Sequence, residues 1–373
     1  MQTVAAFTDT YLQTVNGVSY TVQTWRDRWI DRGGMMSIVY PQSERLEASV
    51  DEHPVSSISF PFYPGFRLAV PRLPPTLERT DFDIVHAHTP FALGLAARRF
   101  ADRRNRPFVA SYHTPTREYA TYLSEAFSSA IAHAADRYEQ WFYSGADAVI
   151  VPSESARTQL SIRDTPTYVI SNGVDLEVFA PPDESTLSAF RDRHGIPDGP
   201  LVGYTGRHGH EKQLGELLSA TVGLDATLLL AGDGPARPEL ERRAAAREDV
   251  IFLGFLDRAE LPAFYTILDV FGFPSPVETQ GLVALESMAC GTPVVGVDAG
   301  ALSETIVDDE TGLLYERGAV DQFRAKIRRT IADGDTLSEA CLRRRPSLDV
   351  ERSIDALADV YRRVSTDGRR SGR

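Results

Sequence analysis

Short apolar runs recur along the whole chain, each bounded by turn residues and followed by a longer stretch with helical spacing. Val4–Phe7, Ser37–Tyr40, Asp83–His86, Phe108–Tyr112, Ala148–Val151 and Tyr168–Ile170 predict six strands in the first half. Leu201–Tyr204, Ala226–Ala231, Val250–Leu253, Val270–Phe273, Pro293–Val297 and Gly312–Tyr315 predict six more in the second. Strands of this kind alternating with helices mark parallel α/β units, whose strands are covered on both faces and read as near-continuous apolar runs. Each half holds enough strands for its own doubly wound sheet. Between the halves lie the turn Ser171-Asn172-Gly173-Val174-Asp175 and the proline-rich Ala180-Pro181-Pro182-Asp183. That punctuation predicts a domain over residues 1–175 and another over 176–350. A last helix, about Glu351 to Val364, carries Ile354, Leu357, Val360 and Tyr361 on one face, and 351–373 is expected to pack back on the first domain.

Composition narrows the class. A length of 373 residues suits two domains, since single cores stop growing near 250–300 residues. With 42% hydrophobic and 24% charged residues the chain reads as folded and globular. No apolar stretch approaches the roughly 20 residues needed to span a bilayer. Met1-Gln2-Thr3-Val4-Ala5-Ala6-Phe7 lacks a basic lead and a cleavage site, so it reads as a first strand and not a signal peptide. Cys290 and Cys341 form no metal or redox spacing, so a reducing cytoplasm is expected. The net charge of −13 divides into −3 over residues 1–175 and −10 over the rest. Such acidity argues against nucleic acid as a partner, because phosphate neutralisation needs a basic face.

Candidate chemistry begins with lysine. Only two lysines occur, against 37 arginines, and one closes the segment Gly206-Arg207-His208-Gly209-His210-Glu211-Lys212 after a predicted strand. An ammonium is a compact point charge where a guanidinium is a planar fork, so a site beside a phosphate oxygen does not exchange them freely. Glu211 either orients one of these cations or caps the next helix. Downstream, Glu278-Thr279-Gln280-Gly281-Leu282-Val283-Ala284-Leu285-Glu286 sets two glutamates eight positions apart around a glycine turn. Gly281 admits close backbone approach, and the amides after it open a helix suited to an anion. Eight helical residues span about 12 Å, the reach from a sugar across a diphosphate to a ribose. Glu278 is then placed for sugar hydroxyls and Glu286 for the ribose diol, since a carboxylate accepts at two oxygens. Gly232-Asp233-Gly234 resembles a nucleotide-contacting turn but lacks the dinucleotide fingerprint. In the first half, Gly17 would let a helix start approach the donor phosphates through its amides.

The pair Gly-Arg-x4-Lys and Glu-x7-Glu, with Ser287-Met288-Ala289-Cys290-Gly291-Thr292-Pro293-Val294-Val295 and Asn172-Gly173-Val174-Asp175, resembles the retaining GT-B glycosyltransferases of family four. The resemblance implies two facing Rossmann-like domains with an interdomain cleft and a last helix that crosses back. It assigns the acceptor to the first domain and the nucleotide-sugar donor to the second. By the same resemblance Arg207 and Lys212 hold the diphosphate. Glu278 and the amides near Gly281 (Thr279, Gln280, Leu282 and Val283 included) hold the sugar, Glu286 holds the ribose, and Gly254 joins the donor set. His113, in Ser111-Tyr112-His113-Thr114, matches the histidine that contacts the sugar's primary hydroxyl, so His113, Glu278, Arg207 and Lys212 form the implied catalytic set. His208 departs from the family, which often has leucine there.

Asp9–Val18, Phe60–Pro64 and Asp83–Phe91 are similar to members that glucosylate or mannosylate membrane lipids such as diacylglycerol, and so is the spelling Glu278-Thr279-Gln280-Gly281. Asp9, Tyr11, Asn16, Tyr63 and His88 are the acceptor-binding candidates. Gln13 stands where the wider family has proline. The expected reaction moves a hexose from a donor of the UDP-glucose or GDP-mannose type to a hydroxyl, foremost that of a membrane glycerolipid. A soluble or carrier-linked glycan acceptor and a non-catalytic sugar-nucleotide-binding protein are the alternatives, as is an epimerase or phosphorylase on the same fold. Lys326 lies among arginines, which argues against a pyridoxal-bearing lysine. No metal or other cofactor is expected: His86 and His88 lack an evident third ligand. Asp81-Phe82-Asp83 begins a strand and so faces away from the ligand edge. Arg98, Arg99, Arg103, Arg104 and Arg106 could touch an anionic membrane, and Arg117–Tyr143 is rich in aromatics.

Overall fold

A computed structural model describes residues 1–12, 16–42, 49, 51–59, 67–70, 72–115, 128–160 and 162–367. The chain divides into two compact units, Met1–Asn172 with Val350–Arg373, and Gly173–Asp349. The break thus falls inside the expected turn, at Asn172/Gly173.

The first unit contains β1 (Thr3–Phe7), β2 (Met35–Pro41), β3 (Glu52–Val55), β4 (Ser57–Ser59), β5 (Arg67–Ala69), β6 (Ile84–Ala87), β7 (Phe108–Ser111), β8 (Ala148–Val151) and β9 (Thr167–Val169). Seven of them form a parallel sheet in the order β3-β2-β1-β6-β7-β8-β9, and β4 and β5 make a small antiparallel ribbon. The period of two along β1 sorts its side chains between two cores. Val4 and Ala6 face Trp25, Trp29 and the helix Val350–Asp367. Ala5 and Phe7 face Leu93, Phe100 and Phe142. Ile354, Leu357, Val360 and Tyr361 of the last helix are all buried here, as their spacing predicts, each contributing about 1.5–3 kcal/mol. Arg32 ties the same helix down by pairing with Glu351 and Asp355.

In the second unit β10 (Leu201–Thr205), β11 (Thr227–Ala231), β12 (Val250–Gly254), β13 (Val270–Phe273), β14 (Val294–Val297) and β15 (Gly312–Tyr315) form a six-stranded parallel sheet. Its order is β12-β11-β10-β13-β14-β15 around a core of Leu228, Leu229, Phe271 and Val295. All twelve predicted strands are present, with ends shifted by a residue or two. Strands β3, β4 and β5 were not anticipated, because Glu52-His53-Pro54-Val55, Ser57-Ile58-Ser59 and Arg67-Leu68-Ala69 carry no apolar run. Each parallel sheet reverses its strand order once, between β1 and β6 and between β10 and β13. Loops at the carboxyl ends of such neighbouring strands diverge and leave a crevice for ligands.

Candidate functional site

At the reversal point of the second unit, the loops after β10 and β13 bring the predicted charges together. Lys212 closes a 3-10 turn, His210–Lys212, and its Nζ lies 2.6 Å from Glu278 Oε1. Sixty-six residues separate the pair in sequence. Both side chains are partly buried, so each charge depends on the other for compensation. Arg207 pairs with Glu211 at 3.2 Å, which resolves the two expected roles of Glu211 in favour of orienting a cation. The Gly232-Asp233-Gly234 turn braces this loop from behind. His208 donates its amide to Asp233 O at 2.8 Å, and a Cβ on Gly232 would meet Gly206 O at 2.0 Å. His208 itself is buried, with Nε2 3.1 Å from Ala231 O. Its imidazole therefore ties the loop to the end of β11, a bond leucine cannot make, and burial holds its pKa below the usual value.

Gly281 stands at the mouth of the helix Leu282–Ala289 with φ of 81°, the left-handed region. A Cβ there would lie 2.9 Å from Leu302 and 3.0 Å from the Phe273 ring, so glycine is needed for space as well as conformation. Leu282 and Val283 open the helix, where the first amides have no partner within it. Thr279 and Gln280 form the turn before it, and Gln280 O accepts from Thr305 Oγ1 at 2.8 Å. Gly254 ends β12, and its carbonyl accepts from the Gly232 amide.

Glu286 sits further along the same helix and is only 3% exposed. Tyr265 donates its hydroxyl to Oε2 at 2.9 Å, while Arg258 Nη1 lies 3.7 Å from Oε1. Burial raises the Glu286 pKa to about 7, against the lowering effects of Arg258 and the Tyr265 hydrogen bond. Neither Tyr265 nor Arg258 was a sequence candidate, since nothing in their local spelling points at Glu286. Lys326 is partly buried on the helix Val320–Ala332.

The first unit gathers a second set of predicted residues at its own reversal point. His86 and His88 have ring centroids 4.1 Å apart, and His88 Nδ1 lies 3.1 Å from His113 Nε2. His86 has both nitrogens engaged, Nδ1 with the Tyr361 hydroxyl at 2.6 Å and Nε2 with Ser111 Oγ at 2.8 Å. Sequence spacing supplied no third imidazole beside His86 and His88; the structure supplies His113 from the end of β7. The three rings stack instead of converging, and among the described residues no group of three His, Cys, Asp or Glu is arranged to hold a metal. Burial lowers the His86 pKa to about 3 and that of His113 to about 4, the latter against a hydrogen bond with Asn172, and it drives His88 well down.

The remaining acceptor candidates have structural duties. Asp9 is buried, takes the Thr89 hydroxyl at 2.7 Å and accepts from the amide of Leu93, so it anchors the helix Ala92–Arg104. Its pKa is raised to about 6 by burial. Tyr11 is 1% exposed, with its hydroxyl on Glu52 at 3.0 Å. Asn16 caps the helix Gly17–Asp31, its Oδ1 accepting from the Ser19 amide, and Gly17 is the first residue of that helix. Asp9 and Tyr11 are thus both buried, with Thr89, Leu93 and Glu52 as their hydrogen-bond partners. Tyr63 lies outside the described residues. In the arginine cluster, Arg106 pairs with Asp81 at 2.5 Å, Arg103 lies 3.9 Å from the Glu78 carboxylate, and Arg104 donates to the Glu78 main-chain carbonyl. Arg103 and Arg106 thus have carboxylate partners, while Arg98 stands over the Trp141 ring. Among the described residues no helix is long and apolar enough to cross a bilayer.

Comparison with known proteins bears on the family and the fold. A family model described as Glycosyl transferases group 1 matches residues 188–344, and one described as Glycosyltransferase Family 4 matches residues 15–178. An alpha-monoglucosyldiacylglycerol synthase of Streptococcus pneumoniae is 30% identical over 90% of this chain and 81% of its own. A GDP-mannose-dependent alpha-mannosyltransferase of Mycolicibacterium smegmatis is 31% identical over 87% of this chain and 86% of its own. Among solved structures, a sucrose-phosphate synthase from Thermosynechococcus elongatus superposes with a TM-score of 0.80 at 21% identity, covering 98% of this chain and 100% of the other. That likeness establishes a shared GT-B fold.

Proposed function

The chain belongs to the family-four glycosyltransferases and is a glycosyltransferase, and from that premise we propose that it moves a hexose, with retention, from a nucleoside-diphosphate sugar to a hydroxyl of a membrane glycerolipid. The observation that carries the reading is the meeting of Lys212 and Glu278 at the carboxyl ends of β10 and β13. A diphosphate arriving there takes over the ammonium from Glu278, and the released carboxylate accepts from sugar hydroxyls. Arg207 meets the same diphosphate, and Glu286 accepts from the ribose diol. As the glycosidic bond to the donor breaks, negative charge grows on the leaving phosphate oxygen. Cations already in place stabilise that charge more than the ground state. The acceptor hydroxyl attacks from the face the diphosphate is leaving, and its proton passes to a phosphate oxygen. His113, kept neutral, contacts the sugar's primary hydroxyl.

The names of the relatives support the two donor classes, a glucosyl and a GDP-mannosyl one, and the alpha in both names supports retention. The diacylglycerol named in one of them supports a glycerolipid acceptor. A panel of UDP- and GDP-hexoses offered with anionic vesicles carrying diacylglycerol, products read by mass spectrometry and their anomeric configuration by NMR, tests all three points. The expected product is an alpha-hexosyl glycerolipid, formed by protein that sediments with the vesicles. Transfer to a soluble glycan at equal or greater rate, with no vesicle binding, would overturn the lipid acceptor.

Transfer is proposed to need no metal, because Arg207 and Lys212 supply the charge a divalent ion would bring to the diphosphate. Enzyme treated with EDTA should keep its rate on purified donor. Loss of activity on chelation, restored by Mn²⁺ or Mg²⁺, would refute the metal-free reading.

A further inference from the structure

Glu286 cannot serve a ribose unless it is both ionised and aimed, and the helix that carries it supplies neither property. Groups from two other elements do. Tyr265, on the helix Leu261–Thr266, is fully buried and holds Oε2. Arg258 begins the 3-10 turn Arg258–Glu260 that follows β12, a turn fixed by a capping box between Asp257 and Glu260. Its guanidinium stands 5.0 Å from the ring centre of the buried Phe179 and 3.7 Å from Glu286 Oε1. The remaining titratable neighbour is Cys290, at the end of the Glu286 helix, a buried thiol whose own pKa is raised to about 12.

We propose that Arg258 is a positioning residue for the donor, holding Glu286 as an oriented carboxylate so that both ribose hydroxyls can donate to it. The inference rests on the reading of Glu286 as the ribose ligand. Its chemistry is a matter of donors and acceptors. A carboxylate accepts two O–H donors at once, whereas a protonated carboxyl offers a donor of its own and mismatches the diol. Burial already places Glu286 near neutrality with Arg258 present. Without the guanidinium, the protonated form dominates through physiological pH.

Calorimetric binding of UDP and GDP to the full-length protein between pH 6 and 9, each beside its 2′,3′-dideoxy analogue, tests this. The analogue carries the same diphosphate, so the ratio of the two affinities isolates the diol. In the wild type this ratio should rise through about pH 7. Arg258→Met should move the rise by about one pH unit upward and lower the ratio at pH 7 by about fivefold, and Arg258→Lys should recover most of it. Arg258→Met with an unshifted ratio profile, or with equal losses for ribose and dideoxy nucleotides, overturns the inference while leaving the donor site intact. Glu286→Gln with wild-type affinity for both nucleotides would instead overturn the reading of Glu286 on which it rests.

Discussion

Lys212→Ala should lower kcat/KM for transfer by about 10- to 100-fold, because a hydrogen bond to a charged group contributes about 1.5–3 kcal/mol and each 1.4 kcal/mol is a factor of ten. Arg207→Ala should act alike, and the double variant should lose less than the product of the two if both cations serve one diphosphate. Lys212→Arg should recover little, since the planar fork does not reproduce a point charge pressed between a phosphate and Glu278. One complication comes from the ion pair itself. Removing the ammonium strands Glu278 partly buried, and breaking a fully buried pair costs about 3–5 kcal/mol, so Lys212→Ala should also melt at lower temperature. Lys212→Met with Glu278→Gln separates the effects, because it leaves no unpaired charge. That variant should regain the melting temperature and stay inactive. Wild-type turnover by Lys212→Ala would remove the residue from the site.

What the sequence made legible follows from range. The strands of both sheets were readable because parallel strands buried on both faces spell themselves as apolar runs, Ala148-Val149-Ile150-Val151 being a plain case. The return of the last helix was readable from one apolar face. Strands β3 to β5 were not, since short, half-exposed segments take their conformation from the strand beside them. Within the site, residue types and loops could be named from local spelling, whereas pairings could not. Lys212 and Glu278 meet only because the sheet order sets β10 beside β13. Tyr265 and Arg258 reach Glu286 from neighbouring elements, and His113 joins His88 through the pairing of β6 with β7. The partners of Asp9 and Tyr11 were hidden by the same limit of range. The spelling after the first strand does not show that Thr89 and Glu52 come from distant parts of the chain to meet these two side chains.

Acid should loosen the first unit before the second. Its three stacked imidazoles are buried uncharged, while in an unfolded chain each takes a proton below about pH 6.5. Folded His86 resists protonation down to about 3 and His113 down to about 4, burial being the main cause in both. Their folded pKa values lie below the unfolded one, so the contribution is complete above pH 6.5 and is lost as pH falls toward 4. Asp9 works the other way, because its raised pKa lets the folded state take up a proton first, from about pH 6 downward. Asp27, also raised by burial, acts with it, and half-buried His53 acts with the imidazoles, so two groups stand against four. Glu286 gives the second unit the same acid-side support, opposed there by buried His208. At about 1.4 kcal/mol per pH unit per proton, the imidazoles of the first unit amount to several kcal/mol by pH 4. Hydrogen exchange read by mass spectrometry should therefore show β6 and β7 losing protection between pH 7 and 4.5 while β10 and β13 keep theirs. His86→Gln removes one proton from the uptake and should flatten the pH dependence of the urea midpoint by about that one proton's share. Identical slopes in the variant and the wild type would mean that the stack is not held neutral. Neutrality also bears on the proposed chemistry, for only an uncharged imidazole at His113 keeps an acceptor nitrogen, and the sugar hydroxyl it is to meet is itself a donor.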